Sequence, residues 1–192
     1  DLAKYSHGFH LGASLLVDQV EADQVPADLL VYPVVYSLRH AVELALKQIL
    51  LQARGYLDGV GEFPDGHDLL NLWRQARRDL SSIWDDPDAY ERVERVVNAL
   101  KAIDPNGEGF RYPVTTRSKK TGGERAGALD PDLAALDLQV LYDDVTEALE
   151  LLVEAGDALV LSNSHHPFKA KTTGSDTTGT SEDSAQPDPS GV

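Results

Sequence analysis

With 192 residues, the chain is long enough for one domain with a real core and too short to demand two. Its formal net charge of −15 opposes non-specific adhesion to DNA or RNA, because the average field repels phosphates. The absence of cysteine excludes disulfides and thiolate metal sites, and no run of about eighteen apolar residues offers a membrane span. The N-terminus has no basic region before a continuous apolar stretch, so the expected localisation is cytoplasmic.

Residues 5–22 are predicted to form an amphipathic helix, with Phe9, Ala13, Leu16 and Val20 at helical spacing. Val25-Pro26-Ala27-Asp28 is a turn and cap signal leading into a central helix over Tyr32–Arg54, with Pro33 in its first turn or at a kink. This helix is apolar on most of its circumference, which marks it as buried. A Gly-rich loop follows over residues 55–66, and a third helix is predicted to open at His67 and run to Trp84, with Leu69, Leu72, Trp73 and Ala76 inward. Asp86-Pro87 starts a fourth helix, ending at Ile103, with Tyr90, Val93, Val97 and Leu100 inward. After Asp104-Pro105-Asn106-Gly107 comes a long irregular segment to Asp130, and segments of that kind are usually functional or mobile. Asp130-Pro131 caps a last helix reaching about Leu161, burying Leu133, Leu136, Val140, Leu141 or Tyr142, Val145, Leu149 and Leu152. From residue 162 to 192 the composition turns to Ser, Thr, Gly, Asp and Pro, which predicts a disordered polar tail. The expectation is an all-α antiparallel bundle of about five helices over residues 1–161.

On the central helix, Tyr36, Arg39, His40, Glu43 and Lys47 all fall within about 60° of one line, given the helical repeat. Arg and Lys suit anion binding, and His exchanges a proton near neutral pH. The same spacing also describes a chain of i,i+4 ion pairs, Arg39–Glu43–Lys47, on a partly exposed ridge, so both readings stand. In Gly66-His67-Asp68, either His67 or Asp68 is a helix cap; a histidine at that place also meets a helix dipole that collects anions. In Phe110-Arg111-Tyr112-Pro113, an Arg between aromatics suits stacking or phosphate capture, or the rings anchor the loop. Residues 111–125 carry Arg111, Arg117, Lys119, Lys120 and Arg125 against one acid, Glu124, a basic loop on an acidic body. Adjacent His165 and His166 cannot close a metal sphere alone, so no metal and no cofactor are expected.

Together, YPVVYSLRHAVELALKQIL, GHDLLNLWRQAR and DPNGEGFRYPV resemble bacterial helical proteins of the HEPN type, over roughly residues 28–115. The resemblance implies a helical bundle, frequently a homodimer. It also implies a metal-independent RNase, or a non-catalytic nucleotide- or RNA-binding or scaffold module, of toxin–antitoxin or anti-phage defence systems. Partners would then be RNA, a nucleotide or a protein of such a system, and no membrane. The residues carried over as catalytic are Arg39, His40, Glu43, His67 and Arg111, with Tyr36, Lys47, Tyr112, Arg117 and Lys119 holding phosphate or ligand. One departure matters: the family's ribonucleases carry an Arg, four to six residues, then His on a late helix. Here Arg39 is followed at once by His40, and the predicted last helix holds neither residue type.

Overall fold

A computed structural model of the chain describes residues 1–54, 63–105, 107, 110 and 136–165. These form five helices: α1 (Leu2–Glu21), α2 (Ala27–Ala53), α3 (Leu69–Leu80), α4 (Pro87–Ile103) and α5 (Leu138–His165). No strand occurs among the described residues. The fold is the expected all-α bundle. Its middle is α2, which packs on α1, α3 and α5, while α4 closes against α3 and α5. Val34, Val35, Leu38, Ala41, Val42, Leu46, Ile49 and Leu50 of α2 are all buried, so the helix supplies apolar surface to neighbours on several sides.

α2 begins earlier than the sequence predicts, which puts Pro33 inside the helix rather than in its first turn. Proline there removes one intrahelical hydrogen bond, and its exposed position leaves the chain partly solvated at that point. By length and hydropathy α2 alone among the described helices could cross a membrane. Its buried charged residues, Arg39, Glu43 and Lys47, instead find their partners within the bundle.

The helix ends follow local chemistry. Asp68, rather than His67, caps α3 by accepting from the Leu70 and Asn71 amides. The same carboxylate takes Lys101 of α4 at 2.7 Å. α3 stops at Leu80, short of the predicted Trp84, because Ser81–Ile83 fold into a turn whose Ile83 and Trp84 amides return to the Leu80 carbonyl. Asp86 caps α4 through the Ala89 amide, with Pro87 at the first turn where its missing N–H costs nothing. Leu69, Leu72, Trp73 and Ala76 of α3 and Tyr90, Val93, Val97 and Leu100 of α4 are buried as their spacing predicts. Tyr90 packs edge-on to Trp84 and donates its hydroxyl to the Trp84 carbonyl at 2.6 Å.

Three expectations for α5 are corrected. Val140 is 55% exposed, because the inward set runs Leu138, Leu141, Val145, Ala148, Leu152, Ala155 and Leu159, and Val140 lies about 100° from Leu141. The helix also continues to His165, past the compositional boundary at residue 161. Ser and Asn lower helix propensity by only about 0.5 kcal/mol per residue, too little to end a long helix at once. The last helix therefore does hold a histidine, at its very end, though still no arginine. The helix begins at Leu138 rather than after Asp130-Pro131, because the Asp137 side chain accepts from the Val140 amide and caps it there. Asp130-Pro131 themselves, Leu133 and the predicted tail from 166 onward lie outside the described residues.

Candidate functional site

Arg39, Glu43 and Lys47 lie one turn apart on α2, and all are at least 96% buried. Three side chains on one face of a core helix can be charged only if the surrounding chain satisfies them. Glu43 is the centre. Its Oε1 accepts from Lys47 Nζ at 2.9 Å and from His67 Nδ1 at 2.8 Å, and its Oε2 accepts from Arg39 Nη1 at 3.3 Å. Arg39 also donates through Nη2 to the His67 carbonyl at 2.8 Å, and its Nε faces Asp104 Oδ2 at 3.8 Å. Lys47 Nζ stands 5.2 Å from the centre of the Phe63 ring. Three stretches therefore converge: the middle of α2, the strap over Phe63–His67, and the residues after α4.

Formal charge at this cluster balances: Arg39 and Lys47 against Glu43 and Asp104. Burial pushes the Glu43 carboxyl upward, but the hydrogen bonds and charges of Lys47 and His67 outweigh it and hold its pKa below the usual 4.5. Glu43 is thus an ionised, acceptor-only group, so the proton between it and His67 resides on Nδ1. When His67 is neutral, its Nε2 is then the basic lone pair. The His67 side chain is 63% exposed, whereas Glu43 beneath it is 3% exposed. Among the described residues the cluster presents one imidazole to solvent, its Nδ1 held from behind.

The sign of the Glu43 shift gives a pH prediction. A carboxyl whose folded pKa is depressed contributes stability present above its unfolded value and lost as pH falls through the folded one. Urea unfolding from pH 7 to 3 should show wild type losing, below about 4.5, a component of stability that Glu43→Gln lacks; parallel curves for the two proteins would contradict it.

The predicted stripe divides. Arg39, Glu43 and Lys47 join His67, but Tyr36 and His40 belong to an aromatic group with Phe9 of α1: His40 stacks on Tyr36 at 5.7 Å and meets the Phe9 ring edge-on at 4.5 Å. The ion-pair reading of Arg39–Glu43–Lys47 is right about the pairing and wrong about the surroundings, since the pairs are buried rather than on an exposed ridge. Phe110 is 7% exposed and lies 6.2 Å from Tyr32, so the anchoring reading holds for this ring. Arg111, Tyr112, Arg117 and Lys119 lie outside the described residues.

Asp104, Gly107 and Phe63 are site residues that the sequence reading treats only as parts of loops. Asp104 is 2% exposed. Gly107 adopts φ +73°, and a Cβ there would stand 2.7 Å from Arg39 Nη1. An Asp-Pro-x-Gly break directly after a helix is the one signal that could have pointed to Asp104 and Gly107, and none pointed to Phe63. Among the described residues, no three His, Asp or Glu side chains are grouped to hold a metal ion. No family model, curated protein or solved structure matches this chain.

Proposed function

We propose that the protein is a HEPN-like module that cleaves RNA without a metal, in the setting of a toxin–antitoxin or anti-phage defence system. The observation that carries this reading is the solvent-facing imidazole of His67, fixed through Nδ1 on the buried Glu43 carboxylate. A histidine so oriented is suited to general acid–base work, because its second nitrogen exchanges a proton while a third group fixes the tautomer. In the proposed reaction His67 Nε2 takes the proton of a ribose 2′-hydroxyl. The 2′-oxygen attacks the adjacent phosphorus, the bond to the 5′-oxygen breaks, that oxygen takes a proton from water, and His67 afterwards returns its own proton to solvent. Glu43 acts as a positioning residue. Arg39 fixes the His67 backbone from below, and stabilisation of the phosphorane is assigned to Arg111, Arg117 and Lys119 on their charge alone.

The test is cleavage of labelled RNA in EDTA. His67→Ala should lower the rate about 10²–10⁴-fold, the usual contribution of one acid–base group. Glu43→Gln should lower it less and move its pH profile. Unchanged cleavage by His67→Ala, or none by wild type, overturns the catalytic reading.

A second reading, binding of a nucleotide or RNA end without turnover, has its own support: both α2 cations are already committed to Glu43 inside the protein. It requires a rise in melting temperature with a phosphate ligand and no cleavage. The exposed apolar side chains Tyr5, Leu11 and Leu15 of α1 support a homodimer as the working state, which light scattering would test.

A further inference from the structure

On the opposite side of α2 from the Glu43 cluster, α1 and α5 approach each other less closely than either approaches α2, and a cleft of about 470 Å³ opens between them. Its floor is apolar, with Ala45 and Ile49 from α2 and Leu152 from α5. Its polar contributors include His7 and His10 of α1 and Glu150 and Asp157 of α5, and among the described residues no lysine or arginine lines it. Both carboxylates are at exposed positions.

His10 adds an acceptor. Thr146 donates its single hydroxyl proton to the Tyr142 carbonyl at 2.8 Å, so the 2.8 Å contact to His10 must run from His10 Nε2–H to Thr146 Oγ1. The ring lies stacked at 5.1 Å on Tyr142, which fixes its plane. Burial, followed by the neighbouring His7, holds the His10 pKa below 6.5 against the pull of Glu150, so at neutral pH the ring is uncharged and Nδ1 is a lone pair.

The volume suits a small organic molecule, and an apolar floor with a few polar groups is the common form of such sites. What chooses the ligand is charge: carboxylates and neutral imidazole on the rim, no cation to receive an acid, and a body of net charge −15. We propose that this cleft binds a small organic cation, a protonated amine on an aromatic or aliphatic body, with the body on Ala45, Ile49 and Leu152 and the ammonium between Glu150 and Asp157. The site is separate from the proposed RNA-cleaving one and does not depend on it.

The experiment is calorimetric titration of the full chain at neutral pH with three probes of one shape: tryptamine, its alcohol analogue tryptophol, and indole acetate. Tryptamine should bind about tenfold tighter than tryptophol, as one favourable charge contact at a partly exposed rim provides, and indole acetate should bind weakest. The double variant Glu150→Gln, Asp157→Asn should erase the preference for the amine and leave tryptophol unchanged. Glu147→Gln, elsewhere on α5 and paired with Arg92, should alter neither. Ala45→Leu should fill the floor and weaken both amine and alcohol. The proposal is overturned if no probe binds, if indole acetate binds as well as tryptamine, or if the amine preference survives the double variant.

Discussion

Glu43→Leu should lower the free energy of unfolding by about 3–5 kcal/mol, the range seen when one partner of a buried charge pair is removed. Leucine is no smaller than glutamate, so lost packing is not the cause. The cost comes from what is left behind. Arg39 keeps the His67 carbonyl and Asp104, but Lys47, 4% exposed, keeps among the described residues only the face of Phe63. A cation over an aromatic ring recovers about 0.5–2 kcal/mol, well short of the desolvation of an ammonium. Adding Lys47→Met removes the orphaned charge, and the double variant should be more stable than Glu43→Leu alone. That reversal separates a buried network from a surface pair, for which a second deletion makes little difference. Urea midpoints with unchanged slopes would measure it. A Glu43→Leu cost under about 1 kcal/mol, the value of an exposed pair, would mean that water reaches the cluster.

The asymmetry of that prediction shows how far a sequence can be read. The i,i+4 spacing of Arg39, Glu43 and Lys47 is enough to predict that they pair, because the distance is set by the helix itself. It cannot say whether the pairs are wet or buried. That depends on His67 and Asp104, which come from other stretches of the chain. For α3 and α4 nothing of this kind intervenes: one apolar face meets one core, and Leu69, Leu72, Trp73, Val93, Val97 and Leu100 are buried as spaced. The α2 stripe is harder, since a face wide enough to hold both Arg39 and His40 meets two neighbours. His40 turns to Phe9 of α1 while Arg39 turns to the His67 carbonyl. The cleft between α1 and α5 left a fainter mark, a glycine within a helix. A Cβ at Gly156 would come within 2.9 Å of Gln52 Oε1, so the glycine leaves room for the end of that α2 side chain.

Gly107 carries the second large effect. Its φ of +73° lies in the left-handed region, where an L side chain costs about 1–2 kcal/mol. Alanine there meets a further obstacle: its methyl would sit 2.7 Å from Arg39 Nη1 and 2.9 Å from both Cζ and Nη2. The far end of a long side chain can usually yield, but this guanidinium is pinned between Glu43 Oε2 and the His67 carbonyl. Moving it lengthens charge-assisted hydrogen bonds each worth about 1.5–3 kcal/mol, so Gly107→Ala should cost roughly 3 kcal/mol or more. The two parts can be told apart by repeating the substitution in Arg39→Met, where only the backbone cost of about 1–2 kcal/mol should remain. An equal penalty in both backgrounds would reduce Gly107 to a turn residue. A smaller penalty in Arg39→Met would show that the glycine exists to let the chain close over Arg39. In that case Gly107→Ala should also slow any RNA cleavage that depends on His67, because the guanidinium it displaces is the one that holds the His67 backbone in place.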